Sequence, residues 1–133
     1  MTRVSSVLLV DDNAVFLDLL ARFLENEPGL SVAGTARDGA EAIALVESLR
    51  PELVVIDLVM PVMSGLEAIW HLRGAWPALR IVATTVADSP AYCAAALAAG
   101  ADAFVSKSNL VEQLVPVLRR LADAPDGEPR MGP

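Results

Sequence analysis

Leu53-Val54-Val55-Ile56-Asp57 is an apolar run of one strand's length, closed by a single aspartate and without polar residues at alternate positions. A strand with one face in water alternates; a run that does not is covered on both faces, as in a parallel sheet between two helical layers. Comparable runs lie at 7–10, 30–34, 81–85 and 103–106. The run at 30–34 is the most polar and is expected at a sheet edge. Segments of helical period separate the runs. Val15, Phe16, Leu19, Leu20, Phe23 and Leu24 outline an apolar stripe opposite Asp18, Arg22 and Glu25. Ala40, Ile43, Ala44 and Leu49 outline a second helix opened by Asp38, and Leu66, Ile69, Trp70 and Leu72 a third. The fourth, 92–99, is entered through Ser89 and Pro90 and stopped by Gly100. The fifth carries Leu110, Leu114, Val117, Leu118 and Leu121. Asn109 and Glu112 have the spacing of its cap, and Pro116 is expected to bend it or loosen its first turns. Five alternations of strand and helix predict an α/β fold, a doubly wound five-stranded parallel sheet with five helices and right-handed crossovers.

A chain of 133 residues that is 54% hydrophobic suits one domain. The folded unit is expected over 1–121. Residues 122–133, with Pro125, Gly127, Pro129, Gly132 and Pro133, read as a flexible tail or linker stump. With 10 basic against 17 acidic side chains the net charge is −7, which argues against this segment holding nucleic acid or an anionic membrane by charge. No apolar stretch reaches the ~18 residues of a membrane span, and residues 1–6 lack a signal peptide's apolar segment. Cys93 is the only cysteine, so no internal disulfide forms, and a cytoplasmic location is expected.

In open α/β sheets ligands bind beyond the carboxyl ends of the strands. The first run is followed there by Asp11 and Asp12, the third by Asp57; the fourth ends in Thr84 and Thr85, and the fifth in Ser106 followed by Lys107. Asp11 and Asp12 taken alone are as readily helix-capping or solvated surface residues, and Asn13 can serve as that cap. Asp57 is harder to dismiss, because it interrupts the otherwise apolar 53–60 and an ionised carboxylate there needs a partner. Lys107 is the only lysine, every other cation being arginine. Two like charges ~4 Å apart repel by about 4 kcal/mol at an effective dielectric of roughly 20, so three adjacent carboxylates need compensation beyond one lysine. Oxygen ligands without a histidine or cysteine cluster select Mg²⁺, or Mn²⁺, over zinc. Mg²⁺ binds a few carboxylates together with a phosphoryl oxygen, which points to phosphoryl chemistry with Asp57 as candidate nucleophile.

Residues 7–13 (VLLVDDN), 57–67 (DLVMPVMSGLE), Thr85 and residues 100–107 (GADAFVSK) resemble, in order, the motifs of receiver domains of two-component response regulators. Taken together they cover about 4–121 and are similar above all to receivers of the NarL/FixJ type. The resemblance implies a flavodoxin-like sheet of order 2-1-3-4-5. It implies that Asp57 accepts a phosphoryl group from a sensor histidine kinase. It also implies that Asp12, Asp57 and the backbone carbonyl of Val59 hold Mg²⁺, with Asp11 acting through a metal-bound water. Thr85 and Lys107 would each contact a phosphoryl oxygen. Movement of Thr85 would let Phe104 swing inward and change the face formed by the fourth helix, fifth strand and fifth helix, a face that also offers a homodimer contact. Such a domain accepts and slowly loses phosphate on itself and is not a turnover enzyme.

Two departures from the family pattern matter. Ser108 stands where many receivers have a proline after the lysine, so a trans peptide is expected at that bond. Val59 and Ala87, at positions where receivers adjust water access to the acyl phosphate, are both apolar, which predicts slow phosphate loss. His71 has no second ligand nearby and reads as a surface residue; Trp70 and Trp76 read as packing or partner contacts. Other readings stand beside the receiver: a phosphorylation-independent interaction module, and a Mg²⁺-dependent phosphohydrolase with an aspartate nucleophile. The second lacks its Asp-x-Asp motif. A nucleotide or flavin binder is disfavoured by the acidic, glycine-free loop 11–13.

Overall fold

The computed structural model describes residues 3–86 and 89–123. The apolar runs form β1 (Ser5–Val10), β2 (Leu30–Ala36), β3 (Leu53–Asp57), β4 (Arg80–Thr85) and β5 (Ala103–Ser106). Between and after them lie α1 (Ala14–Glu25), α2 (Gly39–Leu49), α3 (Gly65–Ala75), α4 (Pro90–Ala99) and α5 (Leu110–Asp123). Every strand pairing is parallel, in the order β2-β1-β3-β4-β5, with the more polar β2 at an edge as predicted. All five residues of β3 are buried, which is what its lack of alternation requires.

Alternate strand residues feed two cores. Leu8, Val10, Val54, Ile56, Ile81 and Ala83 pack with Ala42, Val46, Ile69, Leu72 and Ala96 of α2, α3 and α4. On the other face Val7, Leu9, Leu53, Val55 and Val82 meet Leu17, Leu20 and Leu24 of α1 and Leu114 and Leu118 of α5. Full burial of each large aliphatic side chain stabilises the fold by about 1.5–3 kcal/mol. Side-chain caps start four helices: Asn13 accepts from Phe16 N, Asp38 from Glu41 N, Ser64 from Glu67 N and Ser89 from Tyr92 N.

The sequence placed several helix faces wrongly. In α1 the buried residues are Leu17, Leu20 and Leu24, while Val15 and Leu19, assigned to the stripe, are 70% and 60% exposed. In α2 the buried residues are Gly39, Ala42 and Val46, and Ala40, Ala44 and Leu49 are exposed. In α3 Ala68, Ile69 and Leu72 are buried and Trp70 is 66% exposed. In α2 and α3 small residues take buried positions that a count of large apolar side chains passes over, whereas in α1 leucines occupy both faces. Asn109 does not cap α5. It lies in a 3-10 turn, Lys107–Asn109, at whose start Ser106 Oγ accepts from Ser108 N. Pro116 does not interrupt α5, which runs unbroken from Leu110 to Asp123. Pro116 lies on the exposed side, and the carbonyl it leaves unpaired belongs to exposed Glu112, where water can satisfy it. No cis peptide occurs among the described residues, so the bond at Ser108 is trans as expected.

At the amino-terminal edge of the sheet Arg73 ties β4 and β5 to α3. Its guanidinium donates to the carbonyls of Trp76, Pro77, Leu79 and Gly100, and pairs with Asp102 Oδ2 at 2.7 Å. The same Asp102 oxygen accepts from Ile81 N, so one charged pair sets the level at which β4 and β5 begin. Gly100 sits at φ +124, and a Cβ there would lie 2.7 Å from the Arg73 side chain.

Candidate functional site

The register of the sheet gathers its polar ends. Val10 pairs with Ile56, so Asp11 and Asp57 follow side by side; Asp57 is level with Thr84, and Thr85 with Ser106. The loop after Asp57 folds back until Gly65 N donates to Leu58 O at 3.0 Å. A Cβ on Gly65 would stand 1.9 Å from the backbone oxygen of Asp57, so only glycine permits this return. Val62, in the same loop, holds a left-handed φ of +70 and is 89% exposed.

Asp11, Asp12 and Asp57 each present a carboxylate oxygen within 4.8 Å of the others. Asp11 and Asp57 are buried, whereas Asp12 opens to solvent. Asn13 N donates to Asp11 Oδ1 at 2.9 Å and Val59 N to Asp57 Oδ1 at 3.2 Å. Lys107 Nζ donates to Asp57 Oδ2 at 3.2 Å. It also forms an ion pair with Asp11 Oδ2 at 2.6 Å. The ammonium sits over the ring of Phe16, 4.4 Å from its centroid.

Burial pushes the Asp57 carboxyl above its ordinary range and the Asp11 charge adds to this, against the opposing pull of Val59 N and Lys107. Burial works against the Lys107 cation, but its contacts with Asp11 and Asp57 outweigh it and its pKa is raised. Because the folded Asp57 holds its proton more tightly than the unfolded one, stability falls as pH rises from 3.8 through the higher folded value, and the deficit persists above it. Asp57→Asn is therefore expected to stabilise the domain at neutral pH without Mg²⁺. Urea unfolding checks this: the gain should vanish in acid, and a variant less stable at pH 7 would contradict it.

Three hard oxygen donors face one ammonium, which pairs with Asp11 and Asp57, and Asp12 has no ion-pair partner among the described residues. Both features fit a small divalent cation of the Mg²⁺ or Mn²⁺ kind. Residues 7–119 match the response regulator receiver domain. The chain belongs to the response regulator receiver family. The probable transcriptional regulatory protein TcrX of Mycobacterium tuberculosis is 38% identical over 87% of this chain and 49% of its own length. The nitrate/nitrite response regulator NarL of Escherichia coli K12 is 34% identical over 89% of this chain and 55% of its own. A LuxR-family response regulator from Aurantimonas sp. SI85-9A1 superposes with TM-score 0.84 at 34% identity, over 90% of this chain and 86% of that one. The receiver spans about half the length of the TcrX and NarL proteins it matches.

The structure brings together Asp11, Asp12, Asp57 and Lys107, and places Val59 at their mouth, 53% exposed. Thr85 is fully buried at the end of β4. Phe104 on β5 is half-buried against the core shared with α4. Ala87 lies outside the described residues. Sequence reasoning missed Phe16, the floor beneath Lys107, and Arg37, whose Nε donates to the Asp12 carbonyl at 3.1 Å. Phe16 was visible only as a member of the α1 stripe. His71 is exposed, with its ring 5.1 Å from that of Trp70. No described helix is long and apolar enough to cross a membrane.

Proposed function

We propose that this receiver takes a phosphoryl group from the phosphohistidine of a sensor histidine kinase onto Asp57. One observation carries the reading: a buried carboxylate that shares its pocket with two others and is held by a single lysine at 3.2 Å. An Asp57 oxygen attacks phosphorus, the P–N bond to the donor imidazole breaks, and its electron pair stays on the departing nitrogen, which takes up a proton. Asp57 and Asp12 with the Val59 carbonyl would hold Mg²⁺, and Asp11 would act through a water. Bound there, the ion neutralises charge gathering on the phosphoryl oxygens. Lys107 is pre-positioned on the acceptor and supplies a second cation without rearrangement. Thr85 takes another phosphoryl oxygen, and its movement releases Phe104 inward, altering the surface of α4, β5 and α5. That surface is the homodimer contact. The altered surface controls an output partner or domain, with transcription regulation as the class of output.

Incubation with acetyl phosphate and Mg²⁺ tests this by intact mass. The wild type is expected to gain one phosphoryl group and Asp57→Asn none; an equal gain by the variant would overturn the assignment. Apolar Val59 and Ala87 cannot orient an attacking water, so the adduct should outlast donor removal by minutes or more. Loss within seconds would contradict that role.

A further inference from the structure

The edge of the sheet opposite the acidic pocket carries a cleft of 430 Å³ between the starts of β3 and β4 and the last turn of α5. Arg3, Arg50 and Arg80 line it with Trp76, Leu121 and Ala122. Three arginines on one rim are a marked concentration in a chain of net charge −7. Arg3 is already engaged, bonding the Ala122 carbonyl at 3.1 Å and Glu52 at 2.6 Å. Arg50 is not paired with any carboxylate among the described residues. Its backbone adopts φ +50, and its guanidinium lies 4.2 Å from the centroid of the Trp76 ring. Arg50 Nε donates to the Glu47 carbonyl at 2.9 Å and its terminal nitrogens have no hydrogen-bond partner among the described residues, so the flat cation stacked on the indole presents an anion site beside an apolar wall.

We infer that this cleft receives the chain's own segment 124–133. The polypeptide leaves α5 at its wall, where Leu121 and Ala122 are lining residues. The next residues are Ala124, Pro125, Asp126, Gly127, Glu128 and Pro129, with two acids before the first base, Arg130. Six extended residues reach about 20 Å, so Asp126 and Glu128 stay within that distance of the end of α5 at the cleft wall. The tether gives these acids an effective concentration on the order of millimolar, so a weak contact suffices. Pro125 and Pro129 restrict the segment in advance and reduce the entropy lost on docking. In a longer chain, docking would fix the direction in which the following segment departs. The inference is independent of the phosphoryl reading.

A spin label on Met131→Cys, in the full chain with Cys93→Ser, tests it by amide relaxation. Backbone amides of Arg50, Glu52, Leu53 and Trp76 are expected to lose most of their intensity. Arg50→Gln, the pair Asp126→Asn with Glu128→Gln, and 0.5 M salt, about 4 Å of Debye length, should each restore it. As a check without the label, the Trp76 indole resonance of the otherwise unmodified full chain should shift on the Asp126→Asn/Glu128→Gln exchange. Broadening limited to 119–123, or broadening and resonance that ignore charge and salt, would overturn the inference. So would transfer of the broadening to an unlabelled second copy, which would make another molecule the occupant.

Discussion

Lys107→Ala is expected to destabilise the Mg²⁺-free receiver by about 3–5 kcal/mol, the scale on which one partner's removal strands a buried charge. Side-chain exposure is 15% for Lys107, 2% for Asp11 and 8% for Asp57, so the carboxylates have little water to fall back on. A domain of this kind has roughly 5–15 kcal/mol in all, so the variant stands close to unfolding. Two conditions should rescue it. Mg²⁺ at 100 times its dissociation constant adds about 2.7 kcal/mol, and acid protonates Asp57 and removes the repulsion. Phosphorylation with saturating Mg²⁺ should still be slower by about 10²–10³-fold, because the pre-positioned cation is gone. Urea unfolding at several pH values and Mg²⁺ concentrations measures the first effect, and intact mass against time the second. A loss below about 1 kcal/mol at neutral pH would mean that Lys107 does not hold the two acids together.

Gly65→Ala is expected to be more damaging still. The added carbon would sit 1.9 Å from the Asp57 carbonyl oxygen and 2.7 Å from Leu58 Cα, and backbone atoms cannot swing aside as a side-chain end can. Either the loop 58–64 lifts away from β3, taking the Val59 N–H from Asp57, or the domain unfolds. The cost should exceed about 4 kcal/mol, in the range reserved for identifiable steric faults. Gly74→Ala, also in α3, is the control: a Cβ there meets nothing within 4 Å, and helix propensity should favour alanine by about 0.5–1 kcal/mol. Circular dichroism melts of the pair would separate them, and similar stability in both would contradict the close approach at Asp57.

The fold was legible because its strands announce themselves. Residues 53–57 cannot be a half-wet strand, and the order β2-β1-β3-β4-β5 follows the family whose motifs fill the strand ends. The acidic pocket was legible for a related reason, since each contributing strand ends in a side chain too polar for its neighbours. Helix orientation was harder to read. Val15 and Leu19 are as apolar as Leu17 and Leu20, and only the position of the sheet decides which pair turns inward. Glycine and alanine gave no signal at Gly39, Ala42 and Ala68, although all three are buried and Gly39 lets α2 come close to Ala68 of α3. Partnerships across long separations were invisible: Arg73 with Asp102, and Phe16 beneath Lys107, depend on chain returns that no local spacing encodes.

Three carboxylates must share one small hard cation for Asp57 to act as nucleophile, and calorimetric titration with MgCl₂ addresses this most directly. The wild type should take up one Mg²⁺ per chain, with uptake sharply weakened in Asp12→Ala and in Asp57→Ala. Absence of heat in the wild type, or binding unchanged by both substitutions, would contradict it.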